Sequence, residues 1–327
     1  MNLAIESSRE SERADYSPQD ARPLRSELTI PDDCAGLRLD QALARLFPEH
    51  SRSRLQAWMK DGRVVVEGAQ ADAKSKVRGG EQLSIEVPAL PQEQAEAAED
   101  IPLRVLAEDD AILVIDKPAG LVVHPGSGNW QGTLLNALLH HAPQLAAVPR
   151  AGIVHRLDKD TSGLLVVAKT LTAQTDLIRQ LQARTVSRRY LALAHGVVSG
   201  SGVVDAPIGR HPVQRTRMAV VGGGREAVTH YTVRERLPGC TLLECRLETG
   251  RTHQIRVHMA HLGHPLVGDP VYGPRRCADA LLAAFPRQAL HAWRLGLIHP
   301  LSGAEMSWEA PLPADFARLL DVLRGAR

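Results

Sequence analysis

The stretch GIVHRLDKDTSGLLVVAKT, residues 152–170, places a short polar turn between two apolar runs. The second run, residues 163–168, is short and rich in branched side chains, which is typical of a buried strand. The polar residues before it are too many for a core and too few for a long loop. Asp158 therefore lies at the mouth of a rigid strand, where the scaffold can fix a carboxylate as a nucleophile or base.

Asp158 also has a purely structural interpretation. Single acidic residues are common in turns, where they pair with a neighbouring cation or cap the turn. In this stretch the cation would be Arg156, and the cap would run through Thr161. The spacing alone leaves both interpretations open.

The polar turn resembles a known signature. His155-Arg156-Leu157-Asp158, followed by Thr161-Ser162-Gly163, is similar to the HRLD signature of the RluA family of RNA pseudouridine synthases. Four more segments resemble motifs of that family in the family's order: residues 116–126, 189–193, 248–258 and 264–273. These segments are spread over residues 101–310 in the family's order, so chance is a poor explanation. The Asp of the signature is the family's nucleophile, and the resemblance implies that role for Asp158.

The resemblance implies roles for three further residues. Arg256 would pair with the carboxylate of Asp158. Tyr190 would stack on a flipped uracil and offer its hydroxyl as a proton acceptor, and Arg156 would fill the space that the base leaves in the RNA. The alternatives are a structural or phosphate-binding Arg256 and a Tyr190 that only packs in the core.

Helical spacing supports the position of Arg256. Ile255, Met259 and Leu262 would form a buried stripe, and Arg256 would lie beside it with His253 one turn earlier. From there a guanidinium can hold a carboxylate in a bidentate pair and keep it ionised.

Length and composition indicate a globular protein with room for two domains. The chain has 327 residues, of which 44% are hydrophobic. No apolar run approaches the length of a membrane span, and the N-terminus has no export pattern. The four cysteines have neither CxxC spacing nor the pattern of a disulfide framework, which predicts free thiols and a cytoplasmic location.

Charge is distributed unevenly along the chain. Residues 91–100 contain four acidic and no basic residues, whereas residues 101–327 contain 26 basic and 18 acidic ones. A basic folded region favours a polyanionic partner such as RNA, although an ordinary solvated surface has a similar composition.

The pattern divides the chain into four parts. Residues 1–26 predict a disordered tail and residues 27–90 a small domain. Residues 91–100 predict an acidic linker, and residues 101–327 the catalytic domain. In the catalytic domain, helical patterns at residues 134–141, 171–184 and 252–262 irregularly interrupt a series of strand patterns. This alternation predicts an α+β domain with a mixed, largely antiparallel sheet.

The small domain has a helix-helix-strand-strand pattern and resembles the S4 RNA-binding domain. Its predicted RNA-binding residues are Arg38, Ser51, Arg52, Arg54, Lys60 and Arg63. It departs from the S4 pattern at Glu67-Gly68, where Asn-Gly is usual, and a solvated helix face is the alternative for its basic residues.

The implied reaction is an isomerisation of uridine to pseudouridine, which needs no cofactor, metal or second substrate. The expected partner is large-subunit ribosomal RNA, bound by a monomer without a membrane; uridines in other ribosomal or transfer RNAs are the alternative.

Two rivals come from other classes of protein. His258, His261 and His264 are spaced by three and superficially resemble a metal cluster, although no HExxH or finger spacing accompanies them. A non-catalytic S4-type ribosome assembly factor is the other rival.

Overall fold

The structure is a computed structural model that describes residues 24–48, 50, 52–87, 97–126 and 129–325, without the side chains of residues 24, 53, 54 and 87. The chain forms two compact units, residues 1–94 and 95–327. Within the described ranges, no helix is both long and apolar enough to cross a membrane.

The first unit packs two helices on a four-stranded antiparallel sheet with strand order β1-β4-β2-β3. Its elements are β1 (Leu24–Thr29), α1 (Leu39–Leu46), α2 (Arg52–Lys60), β2 (Val64–Val66), β3 (Ala69–Gln70) and β4 (Gln82–Val87). The two amphipathic helices predicted from the sequence bury Leu39, Leu43, Leu55, Trp58 and Met59 in one core. This apolar face holds the helices on the sheet.

Two predicted boundaries are wrong. Residues 24–26 belong to β1 and not to the disordered tail, because the strand is held by its backbone ladder with β4 and has little apolar pattern of its own. Residues 97–100 of the predicted linker belong to the second unit. There the Asn136 side-chain amide donates to the Ala97 carbonyl at 2.7 Å, and the Gly132 amide donates to the Glu99 carboxylate at 2.9 Å. Residues 1–23 and 91–96 lie outside the described part of the chain.

The second unit is built on a nine-stranded mixed sheet. The strand order is β5-β6-β7-β14-β8-β13-β12-β9, with β15 paired to β14. Its strands are β5 (Val105–Glu108), β6 (Ile112–Lys117), β7 (Ser162–Ala168), β8 (Ser187–His195), β9 (Gly202–Asp205), β12 (Val228–Leu237), β13 (Cys240–Leu247), β14 (Leu290–Ile298) and β15 (Glu305–Glu309). Only β7 and β14 pair in parallel among these described strands, so the predicted mixed, largely antiparallel sheet is confirmed.

Helices cover both faces of this sheet, and a separate hairpin joins β10 (Ile208–Arg210) to β11 (Met218–Val220). The helices are α3 (Leu134–His141), α4 (Leu171–Gln182), α5 (Gln254–His261), α6 (Ala280–Ala283) and α7 (Ala314–Gly325). β7 is buried on both faces. Leu165 and Val167 face the core beside α3 and α5, whereas Leu164 and Val166 face the core beside α4. Strand β7 thus gives the turn before it a rigid base.

Candidate active site

The turn that precedes β7 opens into a cleft of about 440 Å³ in the second unit. Four segments line most of it, and each lies in or beside a motif noted in the sequence: residues 122–126, 156–160, 253–256 and 270–271. Side chains far apart in the chain therefore converge on Asp158, whose side chain is 14% exposed.

Backbone carbonyls of the Asp158 turn are fixed from two sides. The Lys159 carbonyl accepts from the Gly120 amide at 2.9 Å and from the Lys117 ammonium at 3.0 Å. The Asp160 carbonyl accepts from Arg287 at 3.0 Å. At the start of β7, Gly163 has a φ of +110°, and a Cβ there would lie 2.2 Å from the Ala292 oxygen on β14. Glycine at position 163 is therefore a packing requirement.

Lys117 is almost fully buried, with 1% of the residue exposed. Its ammonium donates to three carbonyls, those of Pro118 at 2.7 Å, Leu121 at 2.9 Å and Lys159 at 3.0 Å. Burial lowers its pKa from 10.5 to about 7, although the nearby carboxylates of Asp160 and Asp158 act in the opposite direction. The sequence interpretation assigned Lys117 no role, although it lies inside one of the recognised motifs.

Asp158 pairs with Arg256, the partner that the resemblance implied. An Arg256 Nη1–H donates to Asp158 Oδ2 at 3.0 Å, and the Arg256 side chain is only 5% exposed. The Thr161 amide bonds the backbone carbonyl of Asp158, not its carboxylate. Arg156 is exposed at the rim of the cleft. The carboxylate is thus directed into the cleft by a buried guanidinium.

The predicted stripe of α5 is wrong at one position. Ile255 and Met259 are buried, but Leu262 is 38% exposed because the helix ends at residue 261. His253 is the N-cap, with a left-handed φ of 57°, and not a residue one turn earlier in the helix. This conformation leaves its Nε2 3.9 Å from Asp158 Oδ1.

Tyr190 lies on β8 in the core beside the site, with 6% of the residue exposed. Burial raises its pKa; the positive charge of Arg188 lowers it, and the negative charge of Asp158 raises it further. The core packing that the sequence left as an alternative is therefore present, next to the charge of Asp158. The catalytic role of Tyr190 stays a prediction.

Replacing Tyr190 with Phe separates its two roles. If the hydroxyl exchanges a proton with the base, Tyr190→Phe should keep RNA affinity and slow single-turnover pseudouridine formation by about 100- to 10,000-fold, the range of general acid–base catalysis. Melting temperature serves as the packing control, since the ring is retained. A rate within twofold of the wild type would leave Tyr190 as a packing residue only.

His155, the first residue of the HRLD segment, serves the turn itself. Its Nε2 accepts a hydrogen bond from the Val166 amide of β7 at 3.1 Å. Burial, with a smaller effect from the charge of Arg188, lowers its pKa to about 3. The ring is thus neutral at physiological pH, as an acceptor must be.

Two of the three histidines that resembled a metal cluster have other partners, and the third is exposed. His258 is fully buried between the Thr229 hydroxyl and the Ala206 carbonyl, both at 2.9 Å. His264 bonds the His195 carbonyl at 2.9 Å, and His261 is exposed. In the described part of the chain, no group of three His, Cys, Asp or Glu residues is arranged to hold a metal ion.

In the first unit, Asp40 organises two of the predicted RNA-binding residues. Its side chain is 0% exposed and accepts from Arg38 at 3.1 Å, from Arg52 at 2.8 Å and from Gln56 at 2.8 Å. Burial alone would raise the pKa of Asp40, but these hydrogen bonds and charges lower it. The side chains of Arg38 and Arg52 remain 39% and 49% exposed, so both can reach a partner.

The other predicted residues of this unit differ in their surroundings. Lys60 is exposed at the end of α2, and Arg63 pairs with Glu86 at 3.1 Å. Ser51 and the side chain of Arg54 lie outside the described residues. Glu67 has a φ of 50° and accepts the Gln82 amide at 2.6 Å, which gives this departure from the S4 pattern a structural role.

Comparisons with known proteins match both units. The family model described as RNA pseudouridylate synthase matches residues 111–261, and the S4 domain model matches residues 37–83. Ribosomal large subunit pseudouridine synthase D of Nitrosomonas europaea is 63% identical over 302 residues, which are 91% of this chain and 88% of that protein. The protein of the same name from Pseudomonas aeruginosa is 58% identical, over 91% of this chain and 95% of its own length.

A solved structure shares the fold. The human RNA pseudouridylate synthase domain containing 4 protein superposes with a TM-score of 0.53 at 27% identity, over 68% of this chain and 93% of its own. The recognised motifs, the cleft that they line and these relatives agree, and the chain belongs to the RluA family of RNA pseudouridine synthases.

Proposed function

We propose that this enzyme converts specific uridines of large-subunit ribosomal RNA to pseudouridine, with Asp158 as the nucleophile. The observation that carries the proposal is the Asp158 carboxylate, held at 3.0 Å by a buried guanidinium at the wall of a 440 Å³ cleft. The two bacterial relatives compared above are named for the large ribosomal subunit, which supports the choice of RNA.

The reaction rearranges one nucleotide. The target base leaves its stack and enters the cleft, while Arg156 at the rim occupies the vacated space. Asp158 attacks C1′ or assists departure of the base as the C1′–N1 bond breaks. The uracil turns, the C1′–C5 bond forms, C5 loses its proton and N1 gains one. Substrate and product have the same atoms, so the balance requires no cofactor, and Tyr190 is the proposed proton acceptor.

The first unit supplies RNA affinity in this proposal. Asp40 takes two of the five N–H donors of each of Arg38 and Arg52 and fixes the direction of both guanidiniums. The remaining donors can contact phosphates, which position an RNA without reading its sequence. Arg54 and Lys60 lie on α2, the helix that also carries Arg52.

Neutralising Arg52, Arg54 and Lys60 together tests this division of labour. The triple variant should bind ribosomal RNA fragments more weakly. Its log Kd should also depend less steeply on log salt, by about 0.7 for each lost single-strand contact or about 0.9 for each duplex contact. Removing residues 1–90 should weaken binding and blur site choice while slow modification survives. An unchanged affinity and salt slope in the triple variant would assign this unit to protein contacts instead.

Mapping pseudouridines in cells that lack the gene tests the choice of substrate. We expect specific sites in large-subunit ribosomal RNA to revert to uridine and to return when the wild-type gene, but not Asp158→Asn, is restored. Loss confined to transfer RNA or to the small subunit would contradict the proposed substrate while leaving the reaction intact.

The proposal also includes the cellular location and the oligomeric state of the protein. We propose that the protein is a monomer and that it is cytoplasmic. The location is supported by the four cysteines, which are free thiols in the structure. Gel filtration with and without RNA measures the oligomeric state directly.

A further inference from the structure

The closing turn, residues 264–273, contains a buried carboxylate that the proposed mechanism does not use. The side chain of Asp269 is 0% exposed. It accepts from Arg256 Nε at 2.7 Å and from Arg256 Nη2 at 2.9 Å. Arg256 therefore gives its bidentate fork to Asp269 and a single N–H to Asp158. The interaction of Arg256 with Asp158 is therefore weaker than its interaction with Asp269.

Asp269 also shapes the turn that carries Tyr272. Its Oδ1 accepts the amides of Val271 at 2.9 Å and Tyr272 at 3.0 Å. The Tyr272 ring lies 5.1 Å from the Arg256 guanidinium carbon, within the range of a cation–π contact. Gly268 precedes Asp269 and has a φ of +70°. A Cβ at this position would lie 2.1 Å from the backbone oxygen of Arg287, so the turn packs closely against that segment.

Tyr272 in turn contacts His253, the second neighbour of Asp158. The Tyr272 hydroxyl oxygen accepts from the Met218 amide at 2.9 Å and lies 2.9 Å from His253 Nδ1. A tyrosine hydroxyl can donate one hydrogen bond and accept two, so its role toward Nδ1 follows the tautomer of His253. The other ring nitrogen, Nε2, lies 3.9 Å from Asp158 Oδ1. Asp269 is thus connected to both neighbours of the nucleophile.

The contact of Arg256 with a second carboxylate affects the charge balance of the site during the reaction. When a carboxylate forms a bond to C1′ it loses its negative charge, and a guanidinium paired with it alone would become an uncompensated buried cation. Asp269 keeps Arg256 neutralised at that moment. Burial would lower the pKa of Arg256, but the hydrogen bonds and charge of Asp269, followed by those of Asp158, raise it. The same contacts lower the pKa of Asp269 in spite of its burial.

We infer that Asp269 is a positioning residue for pseudouridine formation: it holds Arg256 in place and balances its charge, so that Asp158 can form and break a bond to the nucleotide. The inference rests on the proposed role of Asp158. Asp269 itself does not line the cleft.

Asp269→Asn tests the inference, because it keeps the shape but removes the charge. Single-turnover rates should fall by roughly 10- to 100-fold, the usual loss when a supporting partner of a site residue is removed. RNA affinity should stay within twofold, and Asp269→Glu should restore part of the rate. Glu235→Gln is the matched control, since Glu235 also accepts from Nε and Nη2 of one arginine, Arg324, at 3.0 and 2.9 Å, and neither residue lines the cleft.

A double-mutant cycle with Arg256→Gln separates positioning from general stability. If Asp269 acts through Arg256, then adding Asp269→Asn to Arg256→Gln should cost less than about threefold in rate. The double variant removes both buried charges together, which keeps the test open if Asp269→Asn alone is unstable. Losses that multiply, or an Asp269→Asn rate within twofold of the wild type, would overturn the inference. An inactive Asp158→Asn beside a normal Asp269→Asn would overturn this inference alone.

Discussion

Asp158→Asn is expected to reduce pseudouridine formation by about 10⁴-fold or more while RNA binding persists. The amide keeps the size of the carboxylate but cannot act as the nucleophile, and removal of a nucleophile costs an enzyme this much or more. The side chain is 14% exposed at the wall of the cleft, so the substitution disturbs little of the core. The measurement is single-turnover modification of a ribosomal RNA fragment at saturating enzyme.

The control for this variant is Asp110→Asn, at an exposed carboxylate between β5 and β6. It should match the wild type in rate, affinity and melting temperature. Measurable turnover by a pure Asp158→Asn preparation would remove Asp158 from the role of nucleophile. Loss of RNA binding in parallel with loss of rate would instead indicate a residue needed to admit the RNA.

Lys117→Met is expected to have the largest effect on stability, together with a loss of rate. The variant leaves the carbonyls of Pro118, Leu121 and Lys159 without their common donor. Unsatisfied buried groups cost about 1–3 kcal/mol each, and water can reach some of them, so we expect a loss of about 2–4 kcal/mol in unfolding free energy. The Asp158 turn loses an anchor at Lys159, and the rate should fall even in the folded fraction.

The stability difference should also depend on pH. Lys117 releases its proton at a pKa of about 7 in the folded chain, against 10.5 ordinarily. The folded state therefore carries a cost below pH 7 that is relieved as the pH rises toward 10.5, and the wild type should gain stability over Lys117→Met across that window. Urea unfolding at pH 7 and pH 9 measures this gain.

Lys169→Met is the matched control for Lys117→Met, since Lys169 also bonds a backbone carbonyl, that of Asp109 at 2.6 Å, away from the cleft. Its rate per folded molecule should equal that of the wild type. A Lys117→Met variant with wild-type stability and rate would show that the Asp158 turn does not depend on this anchor.

The sequence pattern was enough to predict those helices and strands whose defining residues lie within one continuous segment. The helix predicted over residues 134–141 matches α3, where Thr133 caps the helix and bonds the Asn136 amide. Helix α7 was missed, although Phe316, Leu319, Leu320 and Leu323 recur at helical spacing. Strand β15 has an alternating pattern of only five residues, and its pairing with β14 decides its state.

The residues of the site likewise fall into two groups: those that the sequence predicted, and those whose roles depend on the folded chain. Motifs located Asp158 and Arg256, which are 98 residues apart, because a resemblance carries pairing information that periodicity does not. The roles of Lys117 and Asp269 depend on contacts formed only in the folded chain. Lys117 bonds a carbonyl 42 residues away, and Asp269 is defined by the fork that it takes from Arg256. A lysine at the end of an otherwise largely apolar strand was the available signal for Lys117.

The most direct test is the release of tritium from large-subunit ribosomal RNA that carries 5-tritiated uridine and comes from cells lacking this gene. Formation of the C1′–C5 bond expels the hydrogen at C5, so each modified uridine should release one equivalent of tritium to water. We expect the wild-type enzyme to do this at a few defined sites, with and without chelator, and Asp158→Asn to release none. Tight binding of that RNA by the wild type without tritium release would contradict the account.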